Sequence, residues 1–212
     1  MKRIVICVSG GGTNLQTIID ACQSGMINGK IVLVLSSARK AYALERAKKA
    51  GIPSVVIHKD DYPDMSACQK ARHEAIMSAK PDLVVLAGFL GILPKETIAA
   101  LPFRIINTHP ALIPAFCGKG MYGHFVHEAV LAYGAKVSGS TIHFVDEGTD
   151  TGAIIAQKAV PVYPNDTPDA LAARVLEQEH ILLPKAVMDF CNDCITVSNR
   201  TVSIRSAAGN DD

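Results

Sequence analysis

The sequence contains no tryptophan, and Phe and Tyr together supply only 5% of its residues. With so few rings there is no stacking platform for single-stranded nucleic acid, and Lys48-Lys49 and the scattered arginines make no continuous basic stripe. A dominant charge is also missing. The 21 Lys plus Arg nearly cancel the 20 Asp plus Glu, so no overall field draws the chain to nucleic acid or an anionic membrane, and any anion site must be local. No run approaches the length of about 20 apolar residues that a bilayer span needs, and the start MKRIVICVSGGG lacks a secretory cleavage site. A soluble, cytoplasmic protein with no membrane and no nucleic-acid partner is expected.

The six cysteines, at 7, 22, 68, 117, 191 and 194, do not form the framework of a small secreted domain. They read as reduced thiols. Cys191 and Cys194 make a lone C-x-x-C without a second pair at zinc-ribbon spacing. His124 and His127 stand at i and i+3, with Cys117, His143 and His180 as imaginable partners, but polar helix-start and core histidines are the better reading. No metal is expected.

At 212 residues the chain suits one large domain. Short aliphatic runs, KRIVICV, IVLVLSS, SVVIH, DLVVLAG and FRIINT, show no polar alternation, as expected of strands covered on both faces. Helical patterns fall between them, at about 14 to 24, 41 to 50, 66 to 79 and 94 to 101. The layout is α/β, with a mostly parallel central sheet and helices on both faces. After residue 110 come a Gly-rich stretch, a helix near 124 to 133 and two long strands near 137 to 145 and 153 to 162. Thr167 and Pro168 then cap and open a last helix, read over 167 to 182. A hairpin around Asn199-Arg200 forms an antiparallel extension, and the small, polar tail SAAGNDD is expected to fray. No internal repeat and no interdomain linker interrupts this order.

Two sites stand out. Ser9-Gly10-Gly11-Gly12-Thr13-Asn14 follows the first strand and opens the first helix, aiming backbone N–H groups and the helix dipole at one spot suited to a phosphate. The spacing matches neither the dinucleotide fingerprint nor the Lys-containing phosphate loop, which counts against a nucleotide-dependent oxidoreductase or sensor domain. Asn107 and His109 lie two apart at the carboxyl end of an apolar strand, where open α/β sheets place ligands, so their side chains share one side. Pro110 holds His109 extended. An amide that can donate to an oxyanion beside an imidazole that can move a proton is the pairing acyl transfer requires. In the last helix Glu179 falls on the apolar stripe with Leu171 and Val175, where a carboxylate needs a partner.

INTHPALIP at 106 to 114, HFVDEG at 143 to 148 and DTGAIIAQ at 150 to 157 resemble the folate-dependent formyltransferase family over about residues 1 to 190. The opening SGGGTNLQ is similar to the phosphate loop of the members that act on glycinamide ribonucleotide, and is absent from the methionyl-tRNA and deformylase branches. The resemblance implies a Rossmann-like formyltransferase fold and a single domain over 1-212. Residues 1-110 would form the phosphate-binding half, 111-190 the folate and catalytic loops with the final helix, and 191-212 the hairpin and tail. It implies formyl transfer from the co-substrate 10-formyltetrahydrofolate to the amine of glycinamide ribonucleotide, in a monomer or homodimer, with release of formate from the folate as the rival reaction. The implied catalytic set is Asn107, His109 and Asp150, with Asp150 tuning His109. Composition alone does not separate Asp150 from Asp146 and Glu147; the resemblance does. Gly11, Gly12, Thr13, Asn14 and Glu179 would hold the ribonucleotide. Leu90, Gly91, Ile92 and Leu93, with Asn107, would hold the folate. Some members carry arginine where Gly91 stands, and AFCGKGMYG at 115 to 123 is longer than the loop of the shorter members.

Overall fold

The computed structural model describes residues 1–205. Its seven-stranded sheet contains β1 (Lys2–Val8), β2 (Gly29–Ser36), β3 (Ser54–Val56), β4 (Leu83–Leu86), β5 (Ile105–His109), β6 (Val137–Phe144) and β7 (Ile154–Pro161), in the order β3-β2-β1-β4-β5-β6-β7. β1 to β5 are parallel, β6 runs against β5, and β7 runs against β6. The helices are α1 (Thr13–Gln23), α2 (Ala43–Lys49), α3 (Met65–Ser78), α4 (Lys95–Ala100), α5 (His124–Tyr133) and α6 (Pro168–Cys191).

The pleat of β1 explains its unbroken apolar sequence. Ile4, Ile6 and Val8 pack with Leu15 and Ile18 of α1 and with Leu183 and Val187 of α6. Val5 and Cys7 point to the other face and pack with Cys68 and Ile76 of α3. Successive side chains of a strand alternate faces, so a strand covered on both sides has no polar position to spare. From β1 the chain winds outward through β2 and β3, then returns to β4 on the other side of β1. The loops after β1 and β4 therefore diverge and leave a crevice at the carboxyl edge of the sheet. One bond ties them across it: the Leu90 N–H donates to Ser9 Oγ at 2.8 Å.

One element is longer than the sequence suggested. α6 runs 24 residues, to Cys191, and passes through Pro184 instead of stopping near 182. An interior proline removes one backbone hydrogen bond and costs about 3 kcal/mol. Leu183 and Val187 on either side of it are fully buried in the core, and each such side chain is worth about 1.5–3 kcal/mol, which offsets that cost. Thr167 caps the helix as expected, accepting from the Ala170 N–H at 3.2 Å. β8 (Ile195–Ser198) and β9 (Thr201–Ile204) form the expected hairpin, with Asn199 in the left-handed region at φ 54°. The tail at 206–212 lies outside the described residues.

His127 of α5 is buried, and its Nδ1 has no hydrogen-bond partner among the described residues. Burial, reinforced by repulsion from His124 and His109, pushes its pKa down from 6.5 to about 4. The unfolded chain then takes up a proton near pH 6.5 before the folded chain does, so stability is undiminished above that pH and falls as pH drops toward 4. Between pH 7.5 and 4.5, denaturant titrations should show the protein losing on the order of 2–3 kcal/mol more than His127→Gln. Equal losses would refute the burial of a neutral imidazole.

Candidate active site

The sequence IINTH of β5 sends Asn107 and His109 to one face and Thr108 to the other. The antiparallel register with β6 sets His143 opposite Asn107 and Thr141 opposite His109, and Gln157 of β7 lies opposite Thr141. These cross-strand neighbours share a face. The Thr141 hydroxyl donates to the Ala111 carbonyl at 2.6 Å and accepts from the Ile113 N–H at 3.1 Å. Gln157 Nε2 donates to Thr141 Oγ1 and to the Ile113 carbonyl, both at 3.0 Å. The turn that follows His109 is thereby fastened to the sheet.

His143, not singled out as part of this site from the sequence, is central to it. Its Nδ1 donates to the Phe144 carbonyl at 2.8 Å, which leaves Nε2 as an acceptor for the Asn107 amide at 3.2 Å. Burial lowers the pKa of His143 and favours the neutral ring that this pattern requires. One amide proton of Asn107 is thus committed to His143, and the other is free to donate elsewhere. Only the β5–β6 register brings the two together.

Asp150 lies in the β6–β7 connection, in the left-handed region at φ 57°. Its Oδ2 is 3.6 Å from His109 Nδ1 and accepts from the Gly118 N–H at 3.0 Å, while Oδ1 is 3.7 Å from His143 Nε2. Asp146 is engaged elsewhere. It accepts from the Gly148 N–H at 3.1 Å and from the Thr151 hydroxyl at 2.5 Å, closing the turn itself. Glu147 is exposed and makes no ion pair among the described residues. Gly152 cannot carry a side chain, since a Cβ would fall 1.8 Å from the Phe144 carbonyl oxygen. His109 is 3% exposed, and its Nε2 donates to the Phe116 carbonyl at 2.8 Å. Both imidazole nitrogens therefore face oxygen acceptors. The loop at 115–123 touches both members of the pair, through Phe116 and Gly118.

On the opposite face, 165 residues of sequence separate Asn14 and Glu179, yet Asn14 Nδ2 donates to Glu179 Oε2 at 2.7 Å. Glu179 is buried, which raises its pKa; the Asn14 amide and the Thr108 hydroxyl beside it pull the other way. The Gln16 N–H is the first to bond within α1, to the Gly12 carbonyl at 2.9 Å, so the amides of Thr13 and Asn14 precede the helix ladder. Arg46 of α2, absent from the sequence reading, adds a guanidinium that donates to the Gly11 carbonyl at 2.9 Å and to Gln16 at 3.1 Å. No sequence signal set Arg46 apart from other surface cations. In the loop after β4, Leu90 and Ile92 are 64% and 65% exposed beside the crevice, whereas Leu93 is buried in the second apolar cluster and anchors the loop. Among the described residues no three His, Cys, Asp or Glu side chains are grouped to hold a metal ion.

A family model described as formyl transferase matches residues 2–187. The phosphoribosylglycinamide formyltransferase of Arabidopsis thaliana, a chloroplastic protein, is 44% identical over 195 residues, covering 92% of this chain and 67% of the relative. That of Haemophilus influenzae is 39% identical over 190 residues, covering 90% and 87%. The chain spans 67% and 62% of the lengths of two plant relatives. The crystal structure of glycinamide ribonucleotide transformylase 1 from Symbiobacterium toebii superposes with a TM-score of 0.91 at 39% identity, covering 97% of this chain and 95% of that one. A formyltetrahydrofolate deformylase from Pseudomonas syringae superposes with a TM-score of 0.88 at 22% identity over 97% of this chain and 66% of that one, a likeness of fold alone.

Gly12 has φ 73°, and a Cβ there would lie 2.6 Å from the Ala43 Cβ, whereas a Cβ at Gly10 meets nothing within 4 Å. Gly12→Ala should cost roughly 2 kcal/mol or more, a fall of about 4 °C or more in Tm for a chain of this size. Gly10→Ala should leave the Tm unchanged. Equal melting of the two variants would contradict the packing of α2 on this turn.

Proposed function

The chain belongs to the formyl transferase family, and on that footing we propose that it transfers the formyl group of 10-formyltetrahydrofolate to the primary amine of glycinamide ribonucleotide. The products are formylglycinamide ribonucleotide and tetrahydrofolate, a step of purine biosynthesis. The observation that carries this reading is the pairing of two sites on the two faces of β5. The amide, imidazoles and carboxylate of Asn107, His109, His143 and Asp150 gather on one face, and Asn14 and Glu179 meet beside Thr108 on the other.

In the proposed mechanism the ribonucleotide phosphate sits at the start of α1, on the amides of Gly11, Gly12, Thr13 and Asn14, where unpaired N–H groups and the helix dipole favour an anion. Glu179, held by Asn14, accepts from the ribose hydroxyls. The main chain of Leu90, Gly91, Ile92 and Leu93 receives the pterin. The free amide proton of Asn107 donates to the oxygen that becomes anionic as the amine attacks the formyl carbon. His109 gives a proton to the departing folate nitrogen, and the proton of the attacking amine leaves through it or through water to Asp150. Asp150 stabilises the imidazolium by charge, and His143, kept neutral by burial, holds the Asn107 amide in its donating orientation without competing for that charge.

A hydrolase would need the same amide and imidazole but no ribonucleotide site, and the Asn14–Glu179 pair favours an amine acceptor over water. We assign a single domain in which residues 1–110 form the phosphate-binding half and also supply the loop at 90–93, Asn107 and His109, and residues 111–190 supply Asp150, the loop at 115–123 and the final helix with Glu179. The six cysteines are free, which supports a reducing, cytoplasmic setting; no helix among the described residues is long and apolar enough to cross a membrane.

Ultraviolet measurement of folate product with and without glycinamide ribonucleotide should show turnover only in its presence; equal rates would replace transfer with hydrolysis. His109→Ala should lower kcat about 10²–10⁴-fold. Thr13→Ala and Asn14→Ala should raise the ribonucleotide KM more than the folate KM, and the reverse pattern would remove the phosphate from this loop.

A further inference from the structure

Arg72 lies on α3 between Cys68 and Ile76, at the four-residue spacing that faces the sheet, and is 3% exposed. A guanidinium stays charged at any pH a protein tolerates, and withdrawing it from water is unfavourable unless a counter-ion compensates. Arg72 makes no ion pair among the described residues. Nη1 donates to the Ile92 carbonyl at 3.2 Å, Nη2 donates to the Ile57 carbonyl at 3.3 Å, and Nε has no hydrogen-bond partner among the described residues. The Phe89 ring lies 5.6 Å from the guanidinium carbon, within reach of a cation–π attraction. A leucine or methionine would fill this place in the core without the electrostatic cost.

Every contact the guanidinium makes bears on the carboxyl edge of the sheet. Ile57 follows β3, whereas Phe89 and Ile92 belong to the loop after β4. Gly91 sits between them. A Cβ at 91 would fall 2.5 Å from the Phe89 ring and 3.0 Å from Arg72 Nη1, so the stacked pair occupies the space a side chain there would need. Gripped from below in this way, the loop presents Leu90 and Ile92 to solvent on either side of Gly91 and buries Leu93.

We propose that Arg72 is a positioning residue for the folate subsite: from α3 it fixes the backbone of residues 89–93, so that the main-chain groups facing the crevice are ordered before the folate arrives. This rests on the reading of that loop as the pterin site. A preformed loop binds more tightly because its ordering cost has already been met in folding. The charged donor to Ile92 sets the scale: a net contribution of about 1.5 kcal/mol corresponds to about tenfold in affinity.

The test compares the whole protein with Arg72→Met, which keeps the length and apolar volume, with Arg72→Lys, and with Phe89→Leu, which removes the ring from the guanidinium. Steady-state kinetics and hydrogen exchange of the amides of residues 89–93 are both read. Arg72→Met should raise the folate KM about tenfold, leave the ribonucleotide KM and kcat within about twofold, and speed exchange in the loop; Phe89→Leu should raise the folate KM and loop exchange in the same direction, and Arg72→Lys should recover part of both effects. Unchanged folate KM and loop exchange in these variants, or a parallel loss in both KM values and kcat, would overturn the proposal. Should Arg72→Met fail to fold, Arg72→Lys and Phe89→Leu decide by the same criteria. A wild-type protein without formyltransferase activity would sink the functional reading instead, and loop exchange would still show whether Arg72 positions the segment.

Discussion

The two-residue period of β5 is the constraint on which the candidate site depends. Because the strand pleats, Asn107 and His109 can act together only on one face, and Thr108 between them must look the other way. The face that receives Asn107 and His109 is the one across which β6 brings His143 and Thr141. The face that receives Thr108 is the one on which α1 and α6 bring Asn14 and Glu179 together. A slip of one residue in the β5–β6 register would exchange the faces and separate the Asn107 amide from the His143 ring. The network of Thr141 with Ala111, Ile113 and Gln157 opposes such a slip.

Electrostatics divides the buried titratable groups between two roles. His143 is neutral and serves as an acceptor, because burial disfavours its charged form and the Phe144 carbonyl occupies its one N–H. His109, 3.6 Å from the Asp150 carboxylate, has a charge partner within reach that His127 lacks; His127 faces two other imidazoles instead. The same reasoning separates the acids of the β6–β7 connection: Asp146 is consumed by the turn it closes, and Asp150 is turned inward.

Much of this was legible in the sequence. Apolar runs without polar alternation revealed strands covered on both faces, the Thr167-Pro168 pair marked the start of α6, and Asn199-Arg200 marked the hairpin. Asn107 and His109 were legible because strand period and Pro110 act locally. The length of α6 was not, since Pro184 signals an end and only the packing of Leu183 and Val187 overrides it. His143 and Arg46 were missed in their roles, because a histidine in an apolar strand and a cation on a short helix look like many others until their partners are known.

By itself the sequence determined what short-range physics governs: the α/β alternation, the glycine turn before α1, the shared face of Asn107 and His109, and the family to which its motifs belong. Only the tertiary structure decided which distant groups meet. Asn14 finds Glu179 across 165 residues, Asp150 rather than Asp146 turns toward His109, and Arg72 reaches from α3 to the loop after β4. Those pairings follow from strand order, register and helix packing. Such features are set by the burial of the whole core at once, and no local run of residues encodes them.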